Sequence, residues 1–389
     1  MIRHTQHVLS KLLIATVILG FSSCHPENSK SEAGDDVFQS ICIDINTPSV
    51  DISDLIDKVE VVKLEETEQS LIGAAMEVYW NGSYFTFTSE KLKTLYVFNR
   101  FGDLVTKFNR FGNGPEEYGS INSYWLRLDT LVFFDNSRKR LFKYLLDGQY
   151  LSSMETVYDV NHVQELNGKY WLDLSFRAQA DSLAGQIAML DKSFGNPRYF
   201  LETLGDIGFP TGTPVNSFTP YKNSLLYRQL LSDSVYQIND ERVRPYLHFD
   251  LKGEFLWILV EAKDEQTSPV NQILISGKVW LFVPKIGEEW IHIDYRIGFD
   301  QAYDDLLYHR PTGQITSIDT KKGDQSSYDL AFNSWHNGRM LLTVNSSDIG
   351  EFLAELDENQ ISFIEGSTLE DIESSENPAL MWVKFKTDF

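Results

Sequence analysis

Acid–base and binding chemistry needs carboxylates, imidazoles and guanidinium groups gathered on one face of a backbone element. Three short runs offer that pattern. Trp171, Asp173, Ser175 and Arg177 alternate along one run, and Trp290, His292 and Asp294 along another, so each set shares a face if the run is a strand. Arg228 has Leu226 and Leu230 as its same-face neighbours on a third. If these faces reach a common channel, they form a polar and aromatic pocket suited to a sugar or a peptide. His292 with Asp294 is the nearest approach to an acid–base pair. The competing expectation is plain polar pairing, solvated or between packed sheets.

A second group sits in Arg110–Gly119, RFGNGPEEYG. Three glycines and a proline in ten residues exclude the middle of a helix or strand, so this is a shaped loop. Arg110, Asn113, Glu116, Glu117 and Tyr118 could line a binding mouth, because rigid loops carry much of protein function. Alternatively the loop is a connection in which Glu117 and Tyr118 satisfy backbone groups.

Other chemistries lack their motifs. There is no HExxH, no cysteine pair and no EF-hand loop, and His162, His248, His292, His309 and His336 are scattered, so no metal and no cofactor are expected. No G-x-S-x-G elbow is present, and catalytic residues stay unassigned. Ser346–Gly350, SSDIG, matches the core of the Asp-box turn of sialidases, but one copy without the following Trp reads as coincidence.

The elements that must position these residues come from a repeat. A turn dipeptide, a short strand, a second strand and a third recur six times, with the turns at 81, 129, 167, 222, 287 and 337. The spacing runs from 38 to 65 residues with a mean near 51, as for blades of four short strands with insertions. The strands directly after the turns are Tyr84–Ser89, Leu131–Asn136, Tyr170–Ser175, Leu225–Leu230, Trp290–Tyr295 and Met340–Asn345. In the sixth copy Phe352–Asn359 and then ISFIE stand where the later strands belong. One such sheet cannot bury both faces, whereas a ring can, so the expected fold is an all-β six-bladed propeller over 45–389. VEVVKL (Val59–Leu64) and ALMWVKFK (Ala379–Lys386) lie outside the six copies. The N-terminal strand is expected to complete the last blade and the C-terminal one to join the sheet near the closure. Helices are expected over Gly253–Glu265, stopped by Pro269, and over Ser367–Ser374.

The first residues belong to export. Arg3 and Lys11 give a positive start, Leu12–Phe21 is apolar but too short to span a bilayer, and FSSC ends at Cys24. Small residues before a cysteine resemble a bacterial lipoprotein signal, which implies cleavage after residue 23 and lipidation of Cys24. Residues 24–44 then form a polar tether. Cys42, alternating with isoleucines in SICIDI, is expected as a small buried hydrophobe without a disulfide partner. Loss of Arg3 and Lys11 leaves 32 basic against 56 acidic residues, a net of −24, which argues against nucleic acid and anionic membrane surfaces.

GNGPEEYGSI, then DNSRKRLFKYLLDGQYL, SDSVYQINDERVRPYLHFDL and ENPALMWVKFK, resemble the six-bladed β-propeller lipoproteins of Bacteroidetes. That family shows a GxGPGEY-like loop; Gly112, Gly114, Pro115, Glu117 and Tyr118 match it, and Glu116 stands where glycine is common. The resemblance implies an NHL-type propeller on a lipid anchor at the outer membrane, and it does not by itself imply a reaction. The expected function is a binding or protein-interaction module for a glycan, peptide or envelope partner. A carbohydrate-active hydrolase or lyase working with carboxylates in the central pocket is the alternative.

Overall fold

Each turn dipeptide joins the two innermost strands of a four-stranded antiparallel sheet, and there are six such sheets. The structure, a computed structural model, describes residues 38–72, 77–89, 91–175, 185–202, 216–229, 231–256, 268–299, 304–322, 326–364 and 366–387. All lie in one unit, 34–389. Blades 1 to 5 follow the chain from Tyr79–Trp80, Ser123–Arg127, Val163–Leu166, Phe218–Tyr221 and Val279–Ile286, their inner strands. Blade 6 starts at Leu330–His336. At two of the turns, Asn167-Gly168 and Asn337-Gly338, both residues have positive φ, the geometry that fits the twist of the flanking strands.

The second strands are apolar on both faces because both faces are covered. In blade 2, Leu131 and Phe133 pack toward blade 1 while Val132 and Phe134 pack toward blade 3. The core is accordingly not one mass but six clusters, one at each contact between neighbouring blades, including blade 6 against blade 1. Six sheets with six interfaces close a ring.

Blade 6 is built from both ends of the chain. Its order is Leu330–His336, Arg339–Val344, Ala379–Phe385, Ile56–Val62, with Ile361–Phe363 added parallel at the outer edge. The expected closure by the N- and C-terminal strands holds. The expected sixth-copy strand at Phe352 does not: Phe352 lies in the last turn of a helix, Ser346–Ala354, that also absorbs the SSDIG run. Its buried Ile349, Phe352 and Leu353 recur at helical, not strand, spacing.

The chain before blade 6 straps the rim. Gln39–Cys42 pairs parallel with Arg242–Asp250 of blade 4, and Ser49–Asp51 with Gln314–Asp319 of blade 5. The fold thus begins inside the stretch read as tether. Ile41 and Ile43 face the core, which leaves Cys42 only half-buried on the other side. The helix expected over Gly253–Glu265 is absent from its described part, where Phe255 bridges Val279; 257–265 lies outside the described residues. A helix instead starts at Pro269 and runs to Ser276, because proline suits the first helical position and Ser268 caps it. The helix expected over Ser367–Ser374 is present at Leu369–Glu373, capped by Thr368.

Candidate functional site

Neighbouring blades touch through their inner strands, so residues on or just before these strands line the axis. Each blade contributes polar groups there. Blade 1 gives Glu77 and Tyr79, whose hydroxyl donates to the Glu77 carboxylate at 2.5 Å. Tyr124 of blade 2 sets its ring edge-on to Tyr79 at 5.3 Å and donates its hydroxyl to the Thr86 carbonyl. His162 stands before the inner strand of blade 3, Ser217 before that of blade 4, and Lys285 lies on that of blade 5. Asn333 of blade 6 accepts from the Val78 N–H. Glu77 and Tyr79 are surrounded by protein yet still reached by solvent, as groups facing an internal passage are. Burial raises the Glu77 carboxyl above its usual range despite the Tyr79 hydrogen bond.

Arg228 ends the second strand of blade 4 and is 7% exposed. Burial depresses its pKa, while Asp173 of blade 3, Glu77 of blade 1 and Asp294 of blade 5 support its charge. Blades 1 and 4 are opposite in a ring of six, so a group on blade 4 that feels charges on blades 1, 3 and 5 stands at the axis. Its Nη2 is buried and has no hydrogen-bond acceptor.

Asp173, Ser217 and His162 come together between blades 3 and 4. Ser217 Oγ donates to Asp173 at 2.8 Å and lies 3.1 Å from His162 Nδ1, and Tyr227 donates to the other Asp173 oxygen at 3.1 Å. This is not a catalytic triad. The serine proton goes to the carboxylate, and the imidazole nitrogen near the serine is also the one nearest Asp173, at 3.9 Å. Burial would raise Asp173, but the nearby His162 imidazole and the hydrogen bond from the Ser175 N–H outweigh that and hold it below its usual range. All three side chains are buried, and the group ties two blades together.

Blade 5 carries a second cluster. Asp294 and Asp305 are cross-strand partners, and His292 is on the same face. His292 Nε2 lies 2.9 Å from Asp305, and Lys285 Nζ lies 2.5 Å from Asp294. Burial acts to raise both carboxyls. Lys285 and His292 pull Asp294 down to a lowered pKa, whereas Asp305 stays raised beside the Asp294 charge. His292, Asp294 and Asp305 present ligand atoms within 4.8 Å of one another, a geometry that could hold a metal. The Lys285 ammonium already supplies the cation on Asp294, so the group is charge-compensated as it stands.

The Arg110–Gly119 loop is a connection between blades 1 and 2. Tyr118 is fully buried; its hydroxyl accepts from the Arg110 N–H and donates to the Lys93 carbonyl. Glu117 accepts from the Gly114 N–H at 2.7 Å, and a Cβ on Gly112 would meet its Oε2 at 2.0 Å. Arg138 donates to the carbonyls of Gly112 and Gly114. The glycines are needed for this close approach. Arg110, Asn113 and Glu116 remain exposed.

Of the residues singled out from sequence, Asp173, Arg228, His292 and Asp294 belong to the axial and blade 5 clusters, while Glu117 and Tyr118 brace a loop. Arg177 lies outside the described residues. Glu77, Tyr79, Tyr124, His162, Ser217, Lys285 and Asp305 were missed. Most sit on or just ahead of the inner strands, which precede each turn dipeptide and so fell outside the repeat unit. An acid or aromatic just ahead of a turn, as in Glu77-Val78-Tyr79 before Asn81, was the available signal.

The profile of the family described as Domain of unknown function (DUF4934) matches residues 40–384, and the chain belongs to that family. A solved structure of a Bacteroides fragilis NCTC 9343 protein described as exported superposes with a TM-score of 0.70 at 14% identity, covering 90% of this chain and 100% of that one. A member of the duf4221 family from Bacteroides vulgatus ATCC 8482 gives 0.49 at 11% identity, covering 86% and 99%. The first likeness agrees with the propeller fold. No curated protein matches the chain.

Proposed function

We propose that this DUF4934 member is an exported, lipid-anchored binding module of the cell envelope, taking a small uncharged polar ligand, a sugar or peptide unit, at the axial cluster. The observation that carries this reading is Arg228: a buried guanidinium with Nη2 unused, in a site where Glu77 and Tyr79 still meet solvent. A buried donor without an acceptor costs about 1–3 kcal/mol, and a ligand carbonyl or hydroxyl would recover it. Asp173, held ionised beside it, already supports the Arg228 charge, which disfavours an anion. Among the described residues no helix is long and apolar enough to cross a membrane. Attachment is assigned, from the FSSC run after the apolar Leu12–Phe21, to lipidated Cys24 of an NHL-like outer-membrane lipoprotein, facing the periplasm or the surface, with no role for nucleic acid. The exported description of the B. fragilis protein is consistent with this.

Hydrolysis or lysis of a carbohydrate has less support. The nearest carboxylate pair, Asp294 and Asp305, is already engaged, Asp294 by Lys285 at 2.5 Å and Asp305 by His292 at 2.9 Å.

The test is thermal shift of the full chain in detergent against neutral mono- and oligosaccharides and di- and tripeptides. A ligand at about 100 times its Kd adds about 2.7 kcal/mol. At roughly 0.7 kcal/mol per kelvin for a domain of this length, that raises Tm by about 4 °C. Arg228→Met is expected to abolish the shift, with Arg228→Lys as a second variant that keeps the charge. No shift with any compound, or a shift that survives in both variants, would remove the axial site from consideration.

A further inference from the structure

A cavity of about 650 Å³ opens between blades 2 and 3, away from the axial cluster. That volume is within the roughly 300–1,000 Å³ of small-molecule sites. Its walls are Trp125, which is half-buried, and Tyr170, which is anchored in the cluster between the two blades. Its rim carries Arg127, Lys143 and Lys192 against one carboxylate, Glu165. Arg127 is paired to Glu165 at 3.1 Å. That leaves two ammonium groups, on a chain whose formal net charge is −22. Lys143 Nζ donates to the Tyr170 hydroxyl at 3.0 Å, and no carboxylate among the described residues pairs with it or with Lys192. A cationic pocket on so acidic a protein stands against the average field rather than following from it.

Local backbone holds this rim in place. Gly168 has φ +74° in the turn that joins the inner strands of blade 3, and a Cβ there would meet Lys192 Cε at 2.8 Å. The turn therefore lets Lys192 lie across it, next to the cavity mouth.

We propose that this cavity binds an acidic saccharide, a sugar unit carrying a carboxylate or sulfate, as a second site beyond the axial one. The apolar face of a pyranose ring packs on the Trp125 indole, an amphipathic surface suited to it. The anionic group lies between Lys143 and Lys192, each able to direct ammonium donors at an oxygen. The Tyr170 hydroxyl and the Asn167 amide are at hand for ring hydroxyls. An aromatic wall beside paired lysines favours a ring-bearing anion over a flexible acidic peptide, which would have to order its own chain on binding.

Calorimetric titration of the full chain in detergent tests this, with tetragalacturonate, a heparin-derived tetrasaccharide, fully methyl-esterified tetragalacturonate and tetraglutamate as probes. At least one of the two acidic saccharides is expected to bind with Kd below about 1 mM, and more weakly as salt is raised. Lys143→Ala and Lys192→Ala should each weaken it about 10-fold, the loss of one charge-assisted hydrogen bond. Lys192 is exposed, so its variant also keeps the wild-type melting temperature. The ester should bind at least about 10-fold more weakly than its acid. No heat from either acidic saccharide up to about 10 mM, equal affinity for the ester, equal affinity for tetraglutamate, or binding that ignores Lys192→Ala would each overturn the proposal.

Discussion

Replacing Asn377 by alanine should loosen the closure of the ring. Asn377 is 1% exposed and stands just before the C-terminal strand of blade 6. Its Oδ1 accepts from the Ile72 N–H at 2.9 Å, and its Nδ2 donates to the carbonyls of Glu65 at 2.9 Å and Ser70 at 3.1 Å. One side chain thus satisfies three backbone groups of the segment between blade 6 and blade 1. Alanine strips all three of partners at once. At about 1 kcal/mol each, the loss is about 3 kcal/mol. With an unfolding entropy of about 2.1 cal/mol/K per residue over roughly 350 residues, Tm should fall by about 4 °C. Asn377→Asp keeps the acceptor but loses both donors, so it should be at least as damaging near neutral pH. Circular dichroism melts of the three proteins give the answer. A drop under about 1 °C for Asn377→Ala would show that water or a shifted backbone replaces these bonds, and the latch argument would fall.

Two further outcomes follow from the same residues and from the leader. The Glu77 carboxyl is raised above its usual 4.5, so the folded chain holds a proton that the unfolded chain has lost, and stability falls as pH rises from 4.5 through the folded value. Glu77→Gln should then match wild type near pH 4 and exceed it near pH 8 in urea titrations; a variant less stable near pH 8 would mean that Glu77 is ionised and needed. Cys24→Ala should move the protein from the membrane to the soluble fraction, and retention in the membrane would refute the lipid anchor.

The blade pattern was legible because it is local. Asn-Gly dipeptides favour the positive φ that Asn167-Gly168 and Asn337-Gly338 adopt, and a strand covered on both faces must be apolar throughout, as Leu131–Phe134 is. The loop at Arg110–Gly119 was legible as rigid, and Glu117 and Tyr118 brace it from within, while Asn113 lines a cavity beside it. Where two structures could satisfy one pattern, reading failed. Phe352–Asn359 is apolar enough for a strand, yet tertiary contacts select the helix that buries Ile349, Phe352 and Leu353. Pro269 marks a stop in one reading and a start in the other, and Ser268 before it decides for the start.

The sequence by itself determined six similar units, an apolar core divided among them, and strands at both ends that must meet. These follow from periodicity and turn chemistry, which act over a few residues. Only the tertiary structure decided which polar residues share a site. Glu77, Asp173, Arg228 and Asp294 come from four blades, and their mutual charge is felt only because the ring brings distant strands to one axis. Electrostatic interaction depends on distance in space, and nothing in the spacing along the chain encodes that distance until the ring is closed.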